Sequence, residues 1–216
     1  MPKRILTCSP KGGCGKTSLT RNLAVAAALQ NRKVTVVDLD PQRTLVKWWA
    51  RRSEHLASID SLSGEMTDAE DVISEVTGGD LVLIDTPPSL EIYPEHAKIL
   101  IQSADLILVP CRATIDDVDS VVPFMGLFRS HGAEATVVLN AVKSNLGQAR
   151  IKKHKARILA AGHLCPIEIA DRVDYPGAAE DGLGVLEVKR AQAAAEEIMG
   201  LWDFVSTQLW SKRHAA

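Results

Sequence analysis

Aromatic residues are scarce in this 216-residue chain, at 4%, and neither charge sign dominates: 25 Lys and Arg stand against 27 Asp and Glu, a formal net charge of −2. That balance excludes a global field suited to nucleic acid or acidic substrates, so any such surface has to be a local patch. The four cysteines, Cys8, Cys14, Cys111 and Cys165, form no Cys-x-x-Cys pair and have no histidine at metal-finger spacing. They read as reduced thiols. No apolar run approaches the length of a membrane span. Met1-Pro2-Lys3-Arg4 leads straight into a strand-like run with no signal-peptide apolar region, so a cytoplasmic location is expected. No repeat, low-complexity linker or composition break divides the chain. With 46% hydrophobic residues, positions 1–216 are expected to fold as a single domain around one core.

What is present is an alternation of apolar runs and helix-period segments. Strands are expected at Arg4–Ser9, Val34–Asp38, Leu81–Asp85, Leu106–Val109 and Ala135–Leu139, with a further one near Cys165–Ile169. Helices are expected from about Lys16 to Gln30, Arg43 to Arg52, Asp68 to Thr77, and across the last helical region, 187–212. Continuous apolar strands suit a sheet covered on both faces. The strand–helix alternation implies right-handed crossovers: an α/β fold with a doubly wound, mainly parallel sheet and helices on both faces. Its functional crevice should lie at the carboxyl ends of the strands.

The main motifs fall at those ends. Between the first strand and the first helix stands Pro10-Lys11-Gly12-Gly13-Cys14-Gly15-Lys16-Thr17-Ser18. Glycines there bring backbone N–H groups close to an anion, and the helix N-terminus adds its partial positive charge. Lys16 would reach the β- and γ-phosphates of a nucleotide, and the Thr17 hydroxyl would ligate Mg²⁺. The ordinary G-x-x-x-x-G-K-T spacing fails, because Pro10 occupies its first glycine position. Lys3, Arg4 and Arg21 nearby read as solvated charges. The second strand ends in Asp38-Leu39-Asp40-Pro41-Gln42, two carboxylates at i and i+2 facing the crevice. Such a pair can serve a metal's water shell and an attacking water, or simply form an Asp-Pro turn. The apolar run Leu83-Ile84-Asp85-Thr86-Pro87-Pro88 ends in a carboxylate suited to Mg²⁺ through water, or to capping a strand.

The run Lys-Gly-Gly-x-Gly-Lys-Thr resembles the deviant Walker A motif of the ParA/MinD family of P-loop ATPases, and the late segments Ile169-Ala170-Asp171-Arg172-Val173 and Gly184-Val185-Leu186-Glu187 extend the resemblance over nearly the whole chain. It implies ATP and Mg²⁺ as cofactors and an ATP-dependent homodimer in which Lys11 reaches across to the partner's nucleotide. It also implies that Lys11, Lys16 and Asp40 serve hydrolysis and that Asp38, Asp85 and Thr17 lie at the metal. Lys11 to Ser18 would hold the phosphates (Gly12, Gly13, Cys14 and Gly15 among them), with Asn140, Asp171 and Arg172 at the base. Because the phosphate loop begins by residue 10, no N-terminal helix-turn-helix is expected. The resemblance is to short ParF-like partition proteins, which act with a centromere-binding ParB-like partner and bind non-specific DNA, giving a nucleoid-associated location. Candidate phosphate contacts on DNA are Lys152, Lys153, Lys155, Arg157, Lys189 and Arg190; a solvated helix face is the plainer alternative. A MinD-like membrane branch would use the stripe Ile198, Leu201, Trp202, Val205, Leu209 and Trp210 with Lys212, Arg213 and His214. The same stripe also suits a final helix packed on the sheet, so membrane binding is not the expected reading. Other cargo-positioning relatives share the chemistry. A metabolic P-loop enzyme is disfavoured: the nitrogenase iron protein needs two cluster-holding cysteines per chain, and Cys111 has no convincing second.

Overall fold

In the computed structural model, which describes residues 1–211, seven parallel strands form one sheet in the order β3-β2-β4-β1-β5-β6-β7. The strands are β1 Lys3–Thr7, β2 Val34–Asp38, β3 Asp60–Ser63, β4 Leu81–Asp85, β5 Leu106–Arg112, β6 Ala135–Asn140 and β7 His163–Leu164. Eight helices connect and cover them: α1 Lys16–Leu29, α2 Thr44–Trp49, α3 Ala69–Ser74, α4 Pro94–Ser103, α5 Ile115–Ser130, α6 Gln148–Ala161, α7 Asp174–Glu180 and α8 Gln192–Trp210.

Strand residues alternate between two cores. Ile5, Val36, Leu83 and Leu108 pack with α1, α2, α7 and α8. Their neighbours Leu6, Val37, Ile84 and Val109 pack with α3 to α6. Both sets are fully buried, which is why these strands are apolar without alternation.

Three expectations are corrected. The last strand is His163–Leu164, not Cys165–Ile169; the later stretch follows the sheet edge through single bonds from the Cys165 amide to the Val137 carbonyl at 2.8 Å and from the Ile169 amide to the Leu139 carbonyl at 2.9 Å, and an isolated Val142–Ala170 bridge follows it. The helix expected over Asp68–Thr77 is the shorter Ala69–Ser74, led by a 3₁₀ turn at Met66–Asp68 in which Asp68 pairs with Glu65 as a capping box. Arg21 is not a solvated charge: it is 9% exposed, and its Nη2 donates to the Tyr175 carbonyl at 3.2 Å, tying α1 to α7. Burial lowers its pKa to about 10. Lys3 pairs with Asp105 at 2.5 Å on the surface.

The C-terminal stripe is core. Ile198, Leu201, Trp202, Val205 and Leu209 are buried against α1 and the sheet, and the half-buried Trp210 meets Trp202 edge to face at 5.9 Å between centroids. Each buried side chain of this size contributes roughly 1.5–3 kcal/mol over exposure to water. No helix among the described residues is long and apolar enough to cross a membrane. Lys212, Arg213 and His214 lie outside the described residues.

Candidate nucleotide-binding site

The phosphate loop connects the end of β1 to α1. Gly15 closes it at φ +96°, in the left-handed region where a side chain would be strained. A Cβ there would also sit 1.9 Å from Asn140 Nδ2. No side chain caps α1 and no acidic residue occupies its first turn, so its leading amides remain available to an anion. Lys16 is 6% exposed beneath this turn.

β1, β2 and β4 end side by side and bring the two acidic motifs to the loop. Asp38 is in register with Asp85, and Asp85 with Thr7. Thr17 Oγ1 donates to Asp85 Oδ2 at 2.5 Å, while Asp85 Oδ1 is buried without a partner. Burial pushes the Asp85 carboxyl up to about 7, with Asp38 and Asp40 adding to the rise while Thr17 and Lys16 oppose it. An orphaned buried carboxylate oxygen beside a hydroxyl fits a hard divalent cation, which would supply the missing positive charge.

Asp38 is engaged differently. Its Oδ1 accepts from the Asp40 amide at 3.0 Å, and its Oδ2 from the Leu45 and Val46 amides at 3.0 and 3.1 Å. The carboxylate thus anchors the Asp40 turn and the start of α2. Both oxygens serve the backbone, one strand over from Asp85. Asp40 itself is half-exposed and accepts from the Gln42 amide at 2.9 Å. It faces an open cleft of about 510 Å³ together with Gly12, Gly13, Lys16, Thr17, Ser18 and Pro87.

Lys11 is half-buried, and its Nζ donates to the Asp116 carbonyl in the first turn of α5 at 2.7 Å. Cys14 is buried, its Sγ 3.3 Å from the Lys11 carbonyl. Ser89, from the loop after Asp85, donates to the Pro10 carbonyl at 3.3 Å, which couples that loop to the phosphate loop. Three of the four positive-φ residues other than glycine among the described residues, Arg43, Ser89 and Ala141, lie in the loops around this crevice. Local strain concentrated there is typical of functional sites.

Asn140 ends β6, and its Nδ2 donates to the Cys14 carbonyl at 2.7 Å. The side chain braces the phosphate loop. The segment around Asp171 and Arg172 is adjacent: Val142 N donates to Ile169 O, and Asp171 N to Val142 O, both at 3.0 Å. Asp171 is exposed, whereas the Arg172 guanidinium is held by Glu197 through Nε and Nη2 at 2.9 and 2.8 Å.

A family model described as the CobQ/CobB/MinD/ParA nucleotide binding domain matches residues 5–185. The chain belongs to this ParA/MinD family. Among curated relatives, Maintenance of carboxysome distribution protein A from Gloeobacter kilaueensis is 36% identical over 109 residues, 50% of this chain and 49% of that one. Its counterpart from Halothiobacillus neapolitanus is 28% identical over 197 residues, 87% of this chain and 89% of that one. Chromosome-partitioning ATPase Soj from Thermus thermophilus is 31% identical over 140 residues, 51% and 55% of the two chains. The first and third matches thus span only about half of those relatives. In fold, the ParA/MinD chain is similar to the septum site-determining protein MinD of Pyrococcus horikoshii complexed with Mg-ADP, with a TM-score of 0.76, 19% identity and full coverage of both chains.

The candidate DNA contacts divide between the two faces of the sheet. Lys152, Lys153, Lys155 and Arg157 lie on α6, which packs with α5; Lys189 and Arg190 precede α8 on the opposite face. Lys152, Lys153, Lys189 and Arg190 are exposed. Lys155 pairs with Glu168, and Arg157 with Asp119 at 2.5 Å.

Sequence reasoning missed Arg21 and Glu197. The apolar run Leu23–Leu29, which begins two residues after Arg21, was the available signal for it. Nothing local marks Glu197, whose partners are 22 to 27 residues away.

Proposed function

We propose that this chain is an ATP-dependent DNA partition ATPase working as a nucleotide-driven dimer switch. One observation carries the reading: beside a phosphate loop complete with Lys16 and the Thr17–Asp85 contact stands a second lysine, Lys11, held by a single hydrogen bond to a backbone carbonyl. That bond, about 1.5–3 kcal/mol net for a charged donor, can be exchanged for a bond to a phosphate oxygen, whose opposite charge makes it the stronger partner. In the proposed cycle the loop amides, Lys16 and Thr17 bind ATP. Asp85 and Thr17 hold Mg²⁺, which neutralises phosphate charge when bound. Two chains close face to face, Lys11 of each stabilising charge at the other's phosphates. Asp40, fixed by the Asp38 clamp, orients the attacking water. The dimer binds DNA non-specifically through exposed cations such as Lys152 and Lys153, and a ParB-like partner stimulates hydrolysis and release. This would make the protein nucleoid-associated.

The carboxysome-distribution relatives favour a second reading, in which the same switch positions a protein cargo instead of a replicon. Its chemistry is identical and only the partner differs.

The test is DNA binding with ATP, ADP and no nucleotide at several salt concentrations. Binding should require ATP and weaken steeply with salt, because it rests on phosphate contacts. Equal binding without nucleotide would refute the switch.

A further inference from the structure

Arg43 stands at φ 53° and ψ 35°, left-handed backbone that strains any side chain and costs glycine nothing. It is the joint between the Asp40 turn and α2. Its amide donates to the Asp40 carbonyl at 2.9 Å, and its own carbonyl accepts from the Lys47 amide at 3.0 Å. The half-buried side chain reaches back to the sheet, where Nη1 donates to the Asp38 carbonyl at 2.8 Å and to the Gly64 carbonyl at 2.6 Å. Asp38 ends β2 and Gly64 follows β3, so one guanidinium ties the turn to the carboxyl ends of two paired strands. Those ends are already joined, the Gly64 amide donating to the Asp38 carbonyl at 3.2 Å.

We propose that Arg43 is a positioning residue for Asp40: its guanidinium pins the Asp40–Arg43 turn to the ends of β2 and β3 and so sets where the Asp40 carboxylate stands in the phosphate cleft. This rests on the reading of Asp40 as the group that orients the attacking water, and deepens it. The Asp40 carboxylate accepts from the Gln42 amide of the same turn, so its direction follows the turn. The cleft is lined by Asp40, Pro41, Gln42 and Thr44, on either side of Arg43 but not by Arg43 itself. Arg43 therefore acts through the turn and not on the nucleotide. Strained backbone persists where the surroundings hold it, and here the two carbonyl anchors do so. Orientation of an attacking water is sensitive to small displacements, which makes such an anchor effective.

Glycine at this position separates the two roles, because it relieves the strain and removes the anchor. The experiment measures ATP turnover with Mg²⁺ and thermal melts of the full chain and of Arg43→Gly, Arg43→Ala and Arg43→Lys. Arg43→Gly should melt above Arg43→Ala, since alanine keeps the strained φ. Both should nevertheless lose about fivefold or more in kcat, with KM for ATP within about twofold of wild type. Arg43→Lys, whose ammonium can donate to the same carbonyls, should recover part of the kcat. Turnover that simply follows the melting temperature, with Arg43→Gly near wild type, would overturn the proposal; so would a loss confined to KM. A wild-type chain without turnover, or Asp40→Ala turning over as wild type does, would overturn the Asp40 reading itself, and this inference would fall with it.

Discussion

Lys11 and Lys16 are five positions apart in one loop, yet their surroundings differ. Lys16 is buried under the turn that starts α1, while Lys11 rests half-buried on a carbonyl of α5. The carboxylates differ in the same way. Asp38 satisfies both oxygens with amides, whereas Asp85 keeps one buried oxygen unpaired and has its pKa raised to about 7. The sign of the consequence follows. A folded pKa above the unfolded value means that the native state holds the proton more tightly. The ionised carboxylate then destabilises the metal-free fold progressively as pH rises from about 4 through about 7, and fully above that. Asp85→Asn should therefore raise the melting temperature of the metal-free protein, and by more at about pH 8 than at about pH 5. Thermal melts with chelator at the two pH values check this; an equal shift at both would mean that Asp85 is not held uncharged by its surroundings.

At the scale of elements, the phosphate loop keeps its shape through β6 as much as through its own glycines. Asn140 reaches under Gly15 to the Cys14 carbonyl, and Gly15 sits at φ +96°. Gly15→Ala should abolish measurable ATP binding by titration calorimetry and lower the melting temperature. Gly12→Ala, where an added Cβ meets nothing within 4 Å, should leave the melting temperature near wild type. If both variants melt alike, the loop is looser than described. The loop, α1, β2 and β4 were legible in the sequence because turn chemistry, helix start and apolar run coincide there. β3 was not: Asp60-Ser61-Leu62-Ser63 is a polar edge strand, recognisable only by its pairing with β2. α5 carries Pro123 in its interior, which breaks a helical pattern read locally. The clamp role of Asp38 was hidden for a related reason. Its spacing from Asp40 suggests a paired carboxylate site, but the amides of Leu45 and Val46 that claim it depend on where α2 begins. Arg21 looked like a surface charge because helices covered on nearly every side rarely hold one.

At the scale of the molecule, one sheet brings the phosphate loop, Asp40 and Asp85 to a single edge, while α8 secures the opposite end of α1. Trp202 Nε1 donates to Gln30 Oε1 at 2.8 Å, just past the α1 C-terminus, so the helix that starts at the phosphate site is anchored at both ends. The cleft is lined by Gly12 and Gly13, next in sequence to Lys11. A chain built this way can be a complete binding site and still an incomplete catalytic one, which is what a switch that works only as a pair requires. The most direct test is sedimentation velocity of wild type and Lys11→Ala with ATP–Mg²⁺, with ADP–Mg²⁺ and without nucleotide. Wild type should shift from monomer to dimer with ATP alone, while Lys11→Ala should remain a monomer under all three conditions and bind ATP with affinity near that of the wild-type monomer. A Lys11→Ala chain that dimerises with ATP as wild type does would contradict the account.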